Sequence, residues 1–333
     1  MSLRVTFAIA IILSACSNNY DAQQPSETMT NEEVIVEEEI SSIASEYLDE
    51  LINIMSNNAL HRNTIDWDNF REEVFSEAGA AQTISETHNA IRKALILLGD
   101  NHSFFITVEE SYIFSNGIPC NGDYESVSGL PDTIGYVKVN GNFLSDQTNI
   151  QLANEIQDQI IEQDNPNIEG WIVDLRDSGG GNMWPMLAGI GPILGEGTAG
   201  YFSYPDGTFL EWSFEDGAAK FNNSIALQLY NSYHLITPNP KVALLIDNGV
   251  ASSGEAIVVS FLGRPNTKTF GASSTCGLST GNTSFSMSDG AFLYLTTSNM
   301  ADRNQQIYGQ AIAPEQLSSN ATIIQDAIEW LDN

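Results

Sequence analysis

Two strand-to-helix junctions in the middle of the chain constrain its fold and chemistry most. An apolar run, Trp171–Leu175, leads into the glycine-rich segment Arg176–Asn182. A second apolar run, Val242–Ile246, leads into Asn248–Glu255, which carries two adjacent serines at a predicted helix start. Acyl transfer needs such junctions, because backbone N–H groups must face an oxyanion and a hydroxyl must be exposed on a tight turn. The pair of junctions therefore directs the search for function.

The charge of the chain limits its partners. With 333 residues and 42% hydrophobic residues, the chain can bury a sizeable core. Its formal net charge of -31, with only 12 lysines and arginines, argues against binding to nucleic acid or to anionic lipid, since phosphate binding needs cations. We interpret the acidity as an adaptation for solubility rather than as an acidic docking surface.

The first residues predict a targeting signal rather than a part of the folded domain. Arg4 precedes the apolar run Val5–Leu13, which is too short for a permanent transmembrane helix and is followed closely by Cys16. This arrangement resembles a bacterial lipoprotein signal, so we expect residues 1–16 to be a signal peptide cleaved before Cys16, whose thiol then carries the lipid. An ordinary signal peptide with an incidental cysteine is the alternative. The protein is thus expected in the cell envelope, lipid-anchored and periplasmic or surface-exposed.

Hydrophobic periodicity predicts the remaining organisation. Residues 17–39 are polar and acidic and predict a flexible tether. Residues 40–98 carry helical stripes and predict an N-terminal helical domain; one such stripe comprises Leu48, Leu51, Ile52 and Met55. From residue 99 to residue 333 strands and helices alternate, which predicts a core domain of mixed α/β fold.

Cysteine and histidine usage indicates neither a cofactor nor a metal. Apart from Cys16 the chain has Cys120 and Cys276, for which a disulfide and two free buried thiols are both open. The chain has four histidines, His61, His88, His102 and His234. They lack the close His, Cys and Asp spacing that a metal site would need. The glycine triplet Gly179–Gly181 lacks the lysine and hydroxyl residue that would follow it in a nucleotide-binding loop.

Five segments in a fixed order carry a resemblance to a known family. They are Gly99–Ser103, Asp174–Asn182, Ala251–Glu255, Thr269–Gly277 and Ala311–Glu315. In these segments the chain resembles the C-terminal processing (tail-specific) peptidases and their tricorn-type relatives. The resemblance implies a mixed-sheet core of the ClpP/crotonase-like kind and serine peptidase chemistry. It also implies that Ser252 is the nucleophile and that the N–H groups of Gly180 and Ser253 bind the oxyanion.

The general base departs from many of these relatives. Where they place a lysine after the nucleophile, this chain has Gly277 and Leu278, and we expect Lys268 to be a surface cation. The tricorn-type pattern instead matches His102, so we predict His102 as the base, with a structural turn histidine as the alternative. A histidine base predicts that cleavage rises through one ionisation at about pH 6–7.5 unless its surroundings shift it.

The acidic partner and the substrate site are also unusual. The family's glutamate position falls within Tyr308–Gln310, so Glu255 and Asp302 are the candidates for the acidic partner of His102. The segment between Phe104 and Ile134 is too short for the peptide-binding module that many tail-specific peptidases insert there. Peptide would therefore be bound by the core and the helical domain.

The predicted function is an extracytoplasmic serine endopeptidase that acts on a peptide or protein substrate. The alternative is a catalytically weak surface lipoprotein of the same fold that binds peptide or glycan, and an esterase would use the same machinery. The sequence indicates neither a cleavage specificity nor an oligomeric state.

Overall fold

The computed structural model describes residues 39–142 and 147–333. The predicted signal peptide, Cys16 and the tether up to residue 38 lie outside the described residues. Among those that are described, no helix is both long and apolar enough to cross a membrane. Glu39–Asn333 form one compact unit, and the boundary between residues 98 and 99 stays a prediction.

Seven α-helices lie in the described part of the chain. They are α1 (Ser42–Asn58), α2 (Trp67–Ala78), α3 (His88–Leu98), α4 (Asn149–Gln163), α5 (Met183–Leu194), α6 (Ser253–Phe261) and α7 (Ile323–Asp332). Several of them begin at a polar N-cap. The side chains of Ser41, Asp66 and Thr148 accept a backbone N–H from the first turn of α1, α2 and α4, respectively. A 3₁₀ turn, Ser85–Thr87, precedes α3.

A parallel sheet places the two predicted junctions side by side. Its strand order is β13-β10-β9-β4-β3, and all its pairs are parallel. The strands are β3 (Ile134–Lys138), β4 (Gly170–Asp174), β9 (Lys241–Ile246), β10 (Thr267–Gly271) and β13 (Gln316–Leu317). The segments that follow β4 and β9 therefore leave the same edge of the sheet.

A second sheet is antiparallel, and its strand β1 begins two residues after His102, the predicted base. Its order is β2-β1-β12-β5-β6-β7-β8, and a further strand, β11, also pairs with β12. The strands are β1 (Phe104–Ile106), β2 (Tyr112–Phe114), β5 (Gly197–Ser203), β6 (Phe209–Glu215), β7 (Ala218–Phe221), β8 (Ser224–Gln228), β11 (Thr280–Ser286) and β12 (Phe292–Asp302). β11 and β12 form an antiparallel hairpin across the turn that precedes Phe292.

Apolar clusters hold these layers together. Alternate residues of β9 pack on opposite faces of the parallel sheet: Ala243 and Leu245 against α7, and Val242 and Leu244 in the cluster with α4, α5 and α6. The helical stripe of α1 predicted from the sequence is buried with α2, α3, β1 and β12. The predicted mixed α/β fold with a helical N-terminal part is confirmed.

Candidate active site

Ser252, the predicted nucleophile, lies in a strained turn between β9 and α6, both of which are buried. We call residues 248–252 the nucleophile turn. Ser252 is the last residue before α6, and its backbone has φ 53° and ψ -114°. A positive φ favours glycine, and such a conformation costs another residue about 1–3 kcal/mol. Strain of this kind collects at functional sites, which distinguishes Ser252 from Ser253, the first residue of the helix.

Glu255 fixes this turn from inside α6. Its buried carboxylate accepts four hydrogen bonds: from the N–H of Ser252 at 3.2 Å, the hydroxyl of Thr275 at 2.6 Å, and the N–H groups of Gly277 at 3.2 Å and Leu278 at 2.6 Å. Burial raises the pKa of Glu255 to about 7, and the four hydrogen bonds act in the opposite direction. Glu255 therefore joins the nucleophile turn to the loop that precedes β11.

His102 is held by its own backbone between α3 and β1. The Oδ1 atom of Asp100 accepts the N–H of His102 at 2.9 Å and that of Ser103 at 2.7 Å. The carbonyl of His102 accepts Nδ2 of Asn282 at 2.9 Å, which ties the turn to β11. These contacts leave the imidazole free to use both of its nitrogens.

The imidazole contacts two hydroxyls. Its Nε2 lies 2.8 Å from Oγ of Ser252, and its Nδ1 lies 2.7 Å from Oγ1 of Thr280. For Nε2 to accept the Ser252 proton, the neutral ring must carry its own proton on Nδ1 and donate it to Thr280. The structure therefore brings Ser252 and His102 together in the geometry that a nucleophile and base require.

The candidates for the acidic partner are corrected by these contacts. Glu255 uses both oxygens on the groups named above, and Asp302 accepts two backbone N–H groups of the turn after β12 and the hydroxyl of Tyr308 at 3.2 Å. The partner of Nδ1 is instead Thr280, which lies at the start of β11. No sequence pattern indicates Thr280, because a threonine in a strand has nothing to distinguish it.

Burial also changes the ionisation expected for the base. It lowers the pKa of His102 from 6.5 to about 4, while the nearby Asp100 carboxylate acts in the opposite direction. The imidazole is therefore neutral, and able to accept a proton, at pH values well below the predicted range of about 6–7.5.

Gly180 supplies backbone where no side chain fits. Its φ is 92°, and a Cβ atom built there would lie 2.7 Å from the carbonyl oxygen of Ala251 and 3.2 Å from the nitrogen of Ser253. Among the residues that the structure describes, the Gly180 N–H donates to no backbone carbonyl. Because Ser253 begins α6, its N–H has no acceptor within the helix. The two predicted oxyanion donors thus lie beside each other and next to Ser252.

Further hydrogen bonds join the glycine-rich segment to the nucleophile turn. The Ser253 hydroxyl donates to the carbonyl of Gly181 at 2.7 Å, and the N–H of Ala251 donates to the carbonyl of Ser178 at 3.1 Å. Sequence reasoning assigned Ser253 only its N–H, and the structure adds this second contact through the side chain.

A cleft of about 730 Å³ borders the site. Its wall includes Asp100 and Thr280, which flank His102. The other lining residues come from the turn after α1, the turn between α3 and β1, the loop before β11, β12 and the segment after it; they are Leu60, His61, Gly99, Asn101, Cys276, Gly277, Asn299, Ile307, Tyr308, Gly309, Gln310 and Ala311. The lining includes neither Ser252 nor His102, so the cleft lies beside this pair of residues.

A disulfide joins Cys120 to Cys276, which decides between the two alternatives for these thiols. Cys276 lies in the loop that donates to Glu255, whereas Cys120 lies in a segment, residues 115–131, without helix or strand. We call residues 115–131 the strap. The disulfide therefore fastens the strap to the loop beside the nucleophile turn.

Other polar groups give no support to a second catalytic apparatus or cofactor. Lys268 lies in β10 with its ammonium 5.5 Å from the ring centre of Phe270. Within residues 39–142 and 147–333 one set of possible metal ligands, Glu196, Asp216 and His234, has atoms within 4.8 Å of one another, and all three are exposed. Exposed acidic groups at such distances are common without a metal, so we assign none.

A comparison with protein families gives a match that spans most of these residues. The sequence model of peptidase family S41 matches residues 133–317, which include Gly180, Ser252 and Ser253. His102 and Asp100 precede the matched range. The predicted base therefore lies in a part of the chain that the family match does not cover.

Individual relatives agree with this match. A nisin-resistance protein from Lactococcus lactis subsp. lactis is 29% identical over 273 residues, 82% of each chain. A lipoprotein from Streptococcus agalactiae has a similar structure, with a TM-score of 0.69 and 23% identity over 88% of this chain and 97% of that one. The photosystem II D1 C-terminal processing protease has a TM-score of 0.52 and 14% identity over 83% of this chain and 93% of its own.

Proposed function

The chain belongs to peptidase family S41, and from this premise we propose that it hydrolyses peptide bonds with Ser252 as nucleophile and His102 as general base. One observation carries the proposal: Nε2 of His102 lies 2.8 Å from Oγ of Ser252. This distance lies within the range for direct proton transfer.

The first step forms an acyl-enzyme. Nε2 of His102 takes the Ser252 proton while Oγ attacks the carbonyl carbon of the scissile peptide, and the carbonyl oxygen becomes an oxyanion. The N–H groups of Gly180 and Ser253 donate to that oxyanion. The imidazolium then gives its proton to the departing nitrogen, the C–N bond breaks, and the amine leaves.

Water completes the cycle through the same groups. His102 accepts a proton from water, and the hydroxide oxygen attacks the ester carbon of acylated Ser252. When this second tetrahedral intermediate collapses, the proton returns from His102 to Oγ and the carboxylic acid product is released. The strained turn at Ser252 keeps Oγ beside both the base and the donors throughout.

Thr280 has the part that an aspartate or glutamate has in many serine peptidases. Its Oγ1 accepts the Nδ1 proton and so selects the tautomer in which Nε2 is the base. A hydroxyl carries no charge, so it stabilises the imidazolium less than a carboxylate would. We therefore expect a slow enzyme whose base stays neutral at low pH.

The pairing of Nδ1 of His102 with a hydroxyl also supports a second candidate function. This candidate is a catalytically weak surface protein of the same fold that binds peptide or glycan. In the described residues no carboxylate contacts Nδ1 of His102. A fluorophosphonate, which phosphonylates activated serines, distinguishes the two candidates. Labelling of the wild-type chain supports the peptidase, and its absence supports the binding protein.

Matched serine variants assign the nucleophile. Ser252→Ala should abolish both fluorophosphonate labelling and cleavage of a peptide library. Ser253→Ala keeps the N–H of the oxyanion site and loses only the hydroxyl contact with Gly181, so labelling should fall by roughly 3–10-fold, the worth of one hydrogen bond. The opposite result would show that Ser253 is the nucleophile. Nisin belongs among the substrates tested, because a relative is named for resistance to it.

The location we propose is the cell envelope, with the chain anchored through a lipid on Cys16. The Cys120–Cys276 disulfide supports an oxidising compartment outside the cytoplasm. Cys16→Ser should move the protein from the membrane fraction to the soluble fraction. If the distribution does not change, the lipid anchor is wrong.

A further inference from the structure

We propose that Asp247 is a positioning residue that fixes two segments relative to each other. They are the nucleophile turn and the glycine-rich segment Arg176–Asn182, which we call the oxyanion loop. Asp247 directly follows β9 and is 3% exposed. Its carboxylate is the acceptor at which three separate parts of the chain meet. The inference rests on the proposed function, because what Asp247 positions is the reactive geometry of Ser252 and Gly180.

The hydrogen bonds of the carboxylate come from backbone alone. Oδ1 accepts the N–H of Asp177 at 2.9 Å and the N–H of Gly249 at 2.9 Å, and Oδ2 accepts the N–H of Asp123 at 2.8 Å. Asp177 precedes Gly180 by three residues, and Gly249 precedes Ser252 by three residues. One carboxylate oxygen therefore sets the start of the oxyanion loop against the start of the nucleophile turn.

The backbones of three segments approach each other closely around Asp247. A Cβ atom built on Gly249 would lie 2.5 Å from Cα of Gly122 and 2.7 Å from Cα of Asp177. Asp177 itself has φ 58°, an uncommon conformation for a residue other than glycine. Three backbones thus converge at van der Waals contact, and the charged acceptor between them satisfies their N–H groups with strong hydrogen bonds.

The third segment belongs to the strap, which is also fastened just before Asp123. Asn121 donates its N–H to Oδ1 of Asn248 at 3.3 Å, and the disulfide at Cys120 lies one residue earlier. The strap is therefore attached to the nucleophile turn through Asp247 and Asn248, and to the loop beside it through Cys276. Asp247 is the one of these anchors that also reaches the oxyanion loop.

The test uses fluorophosphonate labelling of the full chain, which needs no identified substrate. Asp247→Asn is nearly isosteric and keeps one oxygen, but its amide puts a donor where an acceptor is needed. We expect the maximal labelling rate, kinact, to fall about 10-fold in Asp247→Asn and about 100-fold in Asp247→Ala, since a displacement of 1 Å at a reactive centre can cost that much. The half-saturating concentration, KI, should stay within about 2-fold of wild type, because the cleft is unchanged.

Asp164→Asn is the matched control. Asp164 also accepts a backbone N–H, from Ile236 at 2.7 Å, and the Tyr233 hydroxyl at 3.0 Å, at the end of α4. Its variant should lower the unfolding temperature without changing kinact. Circular dichroism gives the temperature at which all variants are folded, and if Asp247→Ala does not fold, Asp247→Asn decides.

The outcomes separate the two proposals. A fall in kinact for Asp247→Asn, with KI and the control unchanged, supports the positioning role. Equal kinact in Asp247→Asn and wild type, or an equal fall in Asp164→Asn, overturns it. If the wild-type chain is not labelled at all, the proposed peptidase function fails instead.

Discussion

The Nδ1 atom of His102 lies 2.7 Å from Oγ1 of Thr280, so a hydroxyl occupies the position that a carboxylate has in the Ser-His-Asp triad. The contact fixes the ring with Nε2 toward Ser252 at 2.8 Å. It supplies orientation without a negative charge. The proposed base is thus aligned as in a Ser-His-Asp triad, and burial, which lowers the pKa of His102 to about 4, makes it a weaker proton acceptor.

Thr280→Val should separate orientation from packing. Valine keeps the shape of the buried side chain and removes the acceptor for the Nδ1 proton, which leaves a buried donor unpaired at a cost of about 1–3 kcal/mol. We expect kcat to fall about 10- to 100-fold. Thr280→Ser keeps the hydroxyl and should retain most of the activity. Equal kcat in Thr280→Val and wild type, measured on the same peptide, would remove Thr280 from the mechanism.

The pH dependence of cleavage should lie well below the ordinary histidine range. Only the neutral imidazole accepts the Ser252 proton, and burial lowers the pKa of His102 to about 4. As the pH rises through about 4, the base loses its proton and kcat/KM increases; above about pH 5 the profile should be flat with respect to this group. Initial rates at constant ionic strength between pH 3 and pH 8 measure it.

His102→Gln is the control for this profile. Glutamine cannot act as the base, so the step should disappear together with most of the activity, while Lys268→Ala should change neither. Glu255, whose pKa burial raises to about 7, could also produce a step in this range. A step near pH 6.5 that persists in Glu255→Gln would show that burial does not lower the pKa of His102. A dead Lys268→Ala variant would contradict the choice of base.

Two neighbouring glycines provide a matched test of the oxyanion site. Gly180→Ala would place a methyl group 2.7 Å from the Ala251 carbonyl oxygen at a φ of 92°, so the loop must move and its N–H must leave the oxyanion position. The loss of one oxyanion donor lowers kcat by about 10²–10³-fold. Gly179→Ala meets no atom within 4 Å and should keep kcat near the wild-type value. Equal kcat in the two variants would exclude Gly180 as a donor.

The sequence predicted those parts of the site that follow from local pattern or ordered motifs. Continuous apolar runs predicted the two buried strands, confirmed as β4 and β9. Because the pair is parallel, the segments after both strands meet at one edge. The family resemblance supplied His102, which lies outside any such pattern.

The parts that the sequence could not predict depend on contacts between distant segments. Glu255 lies one helical turn after Ser252. Its carboxylate accepts three hydrogen bonds from the loop before β11, which the sequence pattern does not indicate. The role of Asp247 depends on N–H groups 70 and 124 positions away. The two cysteines that remain apart from Cys16 allowed a disulfide, and only their proximity in the fold decided that it forms.

Removing the disulfide should affect stability and labelling together. The bond between Cys120 and Cys276 spans 156 positions, and closing a long loop typically stabilises a protein by about 2–4 kcal/mol. The Cys120→Ser, Cys276→Ser double variant should lose that free energy of unfolding in urea. Its fluorophosphonate labelling should also slow, because Gly277 and Leu278, next to Cys276, hold Glu255 at the nucleophile turn. Dithiothreitol should reproduce both changes in the wild-type chain and neither in the variant. If dithiothreitol lowers labelling equally in both, a cause other than this bond is responsible, and the disulfide has no part in positioning Ser252.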